Sequence, residues 1–362
     1  MKFNFLYIDD EKHETAEGMI KNLLGDIEED VFEYEIEQPK NWNKQKLDLI
    51  ENQQLNKYDG LVLDLKLEFS NDENNEVKFS GPDLAQTIRS DVRAGKIKDL
   101  PIFLFSTNDN FKDLLDRTSI DLFDKMYSKN KDADEKKTRN EFISFAKAYK
   151  TINENKSVEN LMRKEIKDNE ELVSLKAELS KFKTAHEYIY LINQYVIQSN
   201  GLLLDEELLA VRLGIDIQNS EDWEKLKNEI IVNYKYAGIL SDCYERWWQT
   251  DILNWWKETV GKSLLIMSAH DKVNAISEKF GLQNIVALTL PEHHRFETYW
   301  YKCRLSNTPL DTSDALITIE MPRYVWQEPS YISVSYIKSD DRDSELVKSL
   351  LGSNELEMFE DL

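Results

Sequence analysis

The chain has 362 residues, more than most single domains, so two domains are expected. With 41% hydrophobic and 11% aromatic residues, wholesale disorder is excluded. No run of about 18 apolar residues marks a membrane span, and the opening MKFNFLYIDD lacks the length and cleavage site of a signal peptide. A cytoplasmic location is therefore expected. Lys and Arg number 46 against 68 Asp and Glu, for a formal net charge of -22. Divided at residue 150, the first part carries 23 basic and 32 acidic residues, the second 23 and 36. Phosphate-backbone binding needs a local excess of Lys and Arg, so nucleic acid is disfavoured as a partner, and so is an anionic membrane surface. The two cysteines, Cys243 and Cys303, form no metal-ligand pair and read as reduced thiols.

Taken in chain order, residues 2–8 (KFNFLYI) read as a strand and 15–24 as an amphipathic helix ending at Gly25. Residues 31–36 alternate apolar and acidic side chains, as a half-exposed strand does. The run 60–65 (GLVLDL) predicts a strand buried on both faces of a parallel sheet. A helix over 81–92 has Pro82 in its first turn. Strand 101–105 (PIFLF), helix 111–117, strand 124–128 and helix 141–149 complete the series. Such alternation implies a five-stranded, doubly wound parallel sheet with helices on both faces. Between the third strand and the helix at Gly81, residues 69–80 (NDENNEVKFS and its flanks) predict an extended surface loop.

In such a sheet the crevice lies at the carboxyl ends of the strands. Asp9 and Asp10 close the first strand, Asp64 the third, Ser106 and Thr107 the fourth, and Lys129 the last. Converging carboxylates repel one another and call for a hard divalent cation such as Mg2+. A carboxylate beside that cation can attack a phosphoryl group, with the hydroxyl and the ammonium neutralising the transferred oxygens.

The joint order of FLYIDDE, LVLDLKL, SGPDLAQTIRS, LPIFLFST and MYSKN resembles the response-regulator receiver domain over residues 1–150. The resemblance implies a flavodoxin-like receiver fold with Asp64 as phosphoacceptor. It implies Mg2+ held by Asp10 and Asp64, with Asp9 acting mainly through water and the backbone carbonyl of Lys66 completing the set. Ser106 and Lys129 would bind the phosphoryl oxygens. Lys125, a rival lysine, lies inside the strand pattern. Three departures stand out: Asn130 follows Lys129 where the family has proline, Met126 with adjacent Tyr127 occupies the aromatic switch position, and Thr107 replaces a smaller residue.

Residues 151–362 match no family pattern and are expected to form a mainly helical α+β output or interaction domain. Helices are expected over 151–260, including 202–213 and 220–236 with Ser220 as N-cap. Mixed structure is expected over 261–340, with strands at 263–267, 285–290, 315–319 and 331–337, and an acidic tail over 341–362. Trp247, Trp248, Trp255 and Trp256 recur at helical spacing and predict a packing stripe, with an indole left over for a partner surface. His270, His293 and His294 lack metalloenzyme spacing, and no nucleotide-binding or nucleophile-elbow motif occurs.

The function expected is a signalling protein that accepts a phosphoryl group on Asp64 from a histidine kinase or phosphotransfer protein and controls a protein-binding C-terminal domain. Homodimerisation is left open, and no enzymatic activity is expected beyond the receiver's own phosphorylation and dephosphorylation. Two alternatives are a receiver-gated enzyme, sought near His270 and His293–His294, and a phosphate sink in a specialised two-component system such as a phage-defence one.

Overall fold

The computed structural model describes all residues except 1, 26–30, 68–76, 78, 108–120, 131–133, 167–168, 291–296, 340–341 and 360–362. Two compact units result: Met1–Lys167 with Leu175–Asn193 and Gly238–Tyr244, and Asp168–Ser174 with Gln194–Ala237 and Glu245–Leu362. No helix among the described residues is long and apolar enough to cross a membrane.

In the first unit, β1 (Phe3–Ile8), β2 (Phe32–Glu37), β3 (Gly60–Leu63), β4 (Ile102–Ser106) and β5 (Lys125–Ser128) pair in the order β2-β1-β3-β4-β5. Every pairing is parallel. This is the doubly wound order with its switch point between β1 and β3, as expected of the receiver architecture. All four residues of β3 and all five of β4 are buried, which is why both read as unbroken apolar runs. On one face Leu6, Ile8, Leu61, Leu63 and Leu104 pack in a single cluster with Leu84, Ala85 and Ile88 of α3 (Gly81–Arg93). On the other, Phe5 stacks on Phe32 with ring centroids 4.7 Å apart, and Phe103 stacks on Phe142 at 4.2 Å.

Phe142 belongs to α4 (Glu135–Glu154), a helix of 20 residues capped by the Asp134 carboxylate. Residues 141–149, expected as the helix, are its middle; the boundary expected at residue 150 falls inside it, between buried Tyr149 and buried Ile152. α5 (Val158–Met162) and α7 (Ala185–Ile192) also belong to the first unit, whereas α6 (Glu170–Leu179) spans the division. The helix expected over 111–117 lies outside the described residues. Most of the 69–80 loop does too, but Val77 and Phe79 are anchored in the core.

Among its described residues the second unit is helical with three two-stranded ladders. Several expectations are corrected here. Residues 203–204 form a strand, and the helix begins at Glu206 because the Asp205 carboxylate caps Leu208 N. Ser220 does not cap a helix; its hydroxyl donates to Asp216 O and accepts from Val286 N. The apolar stretch at 263–267 makes a 3₁₀ turn at Leu264–Ile266, with Ile266 73% exposed. Around 285–290 only a single bridge forms, Ile215 to Ala287. Strand structure does occur at Ala315–Ile317 and Tyr331–Ser333, the latter running into a short helix over Val334–Ile337.

The tryptophan cluster is corrected as well. Trp247–Trp248 is a strand paired with Leu203–Leu204, and only Trp255 and Trp256 lie in the helix Gln249–Val260. All four indoles are at most 7% exposed, so none is left over for a partner.

Candidate phosphoryl-acceptor site

Parallel strands end side by side, so residues just past β1, β3, β4 and β5 meet in one place although they are far apart in sequence. Asp9 is fully buried, Asp10 half-buried, Asp64 7% exposed and Ser106 4% exposed. Lys129 follows β5, and its amide donates to Ser106 O at 2.7 Å, extending the ladder by one bond. Its ammonium lies 2.6 Å from Asp9 Oδ2 and 2.7 Å from Asp64 Oδ1, bridging the two carboxylates. The remaining oxygens are also held. Asp64 Oδ2 accepts from Lys66 N at 2.9 Å, and Asp9 Oδ1 from Glu11 N at 2.9 Å.

The turn after Asp64 depends on Gly81. A Cβ there would stand 2.2 Å from the carbonyl oxygen of Asp64, so only glycine lets α3 start against this backbone. Ser80 and Asp83 close a capping box just before it, fixing where the helix begins.

Burial pushes the Asp64 carboxyl up to about 6, a rise that Lys129 opposes and the Asp9 charge adds to. Lys129 is held above the usual lysine value by Asp64 and Asp9, against its own burial. Asp9 and Asp64 share the single Lys129 ammonium, which leaves one excess negative charge between them. No group of three or more Asp, Glu, His or Cys side chains that could hold a metal ion occurs among the described residues. Mg2+ usually keeps several waters and takes one or two carboxylates, so Asp10, Asp64 and the Lys66 carbonyl are the residues that would hold it.

The other candidates fall elsewhere. Lys125 pairs with Glu141 Oε1 of α4 and stays out of the acidic cluster. The Tyr127 hydroxyl also donates to Glu141, at 2.9 Å, while Met126 packs against the β-sheet core. Thr107 is exposed, and its carbonyl accepts from the Asn130 side chain. The described residues contain no cis peptide, so Asn130 follows Lys129 in trans. His270 is an exposed partner of Glu297, and His293 and His294 lie outside the described residues.

Tyr7 was not anticipated. It is fully buried, and its hydroxyl donates to Asp9 Oδ2. Burial and the neighbouring Asp9 push the phenol far above its ordinary value, so it acts as a donor. The signal was present: residues two apart on a strand share a face, and Tyr7 precedes Asp9 by two.

The strand order β2-β1-β3-β4-β5 gives the first unit a receiver-like, doubly wound five-stranded parallel fold. No family profile and no characterised protein sequence matches the chain. Solved structures do. The phosphorylated cyanobacterial phytochrome response regulator RcpA is similar at 16% identity, over 43% of this chain and 97% of that one, with a TM-score of 0.26. A mutant receiver domain of the histidine kinase CKI1 from Arabidopsis thaliana aligns at 17% identity, over 35% and 80%, with a TM-score of 0.24. The Legionella pneumophila response regulator LqsR aligns at 11% identity, over 65% and 76%, with a TM-score of 0.26.

Proposed function

We propose that this chain is a cytoplasmic response regulator whose Asp64 accepts a phosphoryl group from the phosphohistidine of a histidine kinase or phosphotransfer protein. The observation that carries the reading is the Lys129 ammonium bridging two buried carboxylates at the strand ends. An Asp64 carboxylate oxygen attacks phosphorus, the bond from phosphorus to the donor breaks, and the leaving group departs with that bond's electrons. The Lys129 ammonium then moves from Asp64 Oδ1 to the transferred oxygens, retaining Asp9 as its counter-ion. Ser106, at the end of β4, donates its hydroxyl to the same group. Mg2+, when bound by Asp10 and Asp64, supplies further charge neutralisation. The C-terminal unit acts through protein contacts, in keeping with its acidic balance.

Incubation of the full chain with acetyl phosphate tests this. Incorporation is expected with Mg2+ and lost when the cation is chelated. Equal incorporation under both conditions would contradict the assignment.

A further inference from the structure

The Asp9 carboxylate is more heavily engaged than a cation ligand should be. Oδ2 takes both the Tyr7 hydroxyl and the Lys129 ammonium, and Oδ1 takes the Glu11 amide. The two groups on Oδ2 are themselves fixed from below. The Tyr7 ring packs on Phe105 with centroids 5.9 Å apart, and Lys129 Nζ lies 5.5 Å over the same Phe105 ring. Tyr7, Phe105 and Lys129 therefore enclose Asp9 Oδ2, and the whole group is nearly inaccessible to solvent.

We propose that Tyr7 is a positioning residue: its phenol turns Asp9 toward Lys129, so that Asp9 holds the lysine while Asp10 and Asp64 are left to hold the cation. This rests on the receiver reading of the site. A carboxylate oxygen has two strong acceptor directions, and on Oδ2 both are taken by protein donors. Removing the phenol frees one of them in a buried, cation-attracting place. Asp9 then gains the freedom to ligate the cation directly, and Lys129 loses part of its restraint.

The test uses the full chain and Tyr7→Phe, which keeps the ring on Phe105. The first readout is the nitrogen NMR signal of the Lys129 ammonium in metal-free protein, assigned with Lys129→Met. A slowly exchanging signal in the wild type is expected to broaden or vanish in Tyr7→Phe. The second is Mn2+ titration, in which Tyr7→Phe is expected to bind about tenfold more tightly, the size but not the sign of the effect that losing an outer-shell partner ordinarily has on metal affinity. An unchanged ammonium signal, or Mn2+ binding that is equal or weaker, would overturn the role of Tyr7. A wild-type chain that binds no Mn2+ would instead overturn the receiver reading, and the metal-free NMR comparison keeps the two failures apart.

Discussion

Arg89→Met is expected to cost the first unit about 3–5 kcal/mol at neutral pH, because it strands two buried carboxylates. Arg89 projects from α3, and its guanidinium donates to Asp99 Oδ1 at 3.0 Å, Asp124 Oδ2 at 2.8 Å, and the carbonyls of Leu100 and Leu122. Asp124 further accepts from Ile102 N and the Tyr149 hydroxyl of α4, each at 2.8 Å by its nearer bond. Asp99 takes the amide of His186 in α7, whose ring meets Tyr149 and the carbonyl of Asp121. One cation thus ties α3, the segments leading into β4 and β5, α4 and α7 together.

The pH dependence has a definite sign. Although burial opposes it, Arg89 and His186 hold the Asp124 carboxyl below its ordinary 3.8. The stability it contributes is full above that value and is lost as pH falls through the lower folded value. In Arg89→Met the carboxyl is buried without its main partner and favours the protonated form. The difference between variant and wild type should therefore be large at pH 7 and shrink below about pH 4, the ordinary aspartate range. Urea unfolding at the two pH values, followed by far-ultraviolet circular dichroism, checks this. A difference that stays constant with pH would contradict the account.

Trp256→Ala is expected to destabilise the second unit by about 3–5 kcal/mol, the usual cost of truncating a fully buried aromatic. Its indole is 0% exposed and packs with Trp247, Ile252 and Trp223 in one core cluster. Its Nε1 is buried with no hydrogen-bond partner among the described residues. Trp256→Phe removes that unsatisfied donor while keeping an aromatic ring, so it should cost much less. The readout separates the units, because seven of the eight tryptophans lie in the second unit and only Trp42 in the first. The tryptophan fluorescence transition should move in Trp256→Ala far more than in Trp256→Phe. Equal shifts would mean that ring volume is not what matters.

Much of the first unit was legible in the sequence for a physical reason. Central parallel strands are buried on both faces, so GLVLDL and PIFLF stand out as apolar runs, and Asp64 and Ser106 at their carboxyl ends fall at one crevice. Asp64 and Lys129, 65 positions apart, come within 2.7 Å through strand order alone. Tyr7 was passed over because an aromatic within an apolar strand reads as core. The Arg89 network was illegible because its partners lie 10 and 35 residues away and carry no periodicity. In the second unit the strands have two to four residues each, too short for alternation to distinguish them from turns. Ser263 to Met267 misled for that reason, since a short apolar run fits a 3₁₀ turn as well as a strand.

Locating the phosphoryl group on the intact chain tests the central claim most directly. After reaction with acetyl phosphate and Mg2+, the acyl phosphate is trapped with borohydride and the modified peptide sequenced by mass spectrometry. The label is expected on Asp64 and is expected to vanish in Asp64→Asn. Label on another residue, or incorporation that persists in Asp64→Asn, would contradict the account.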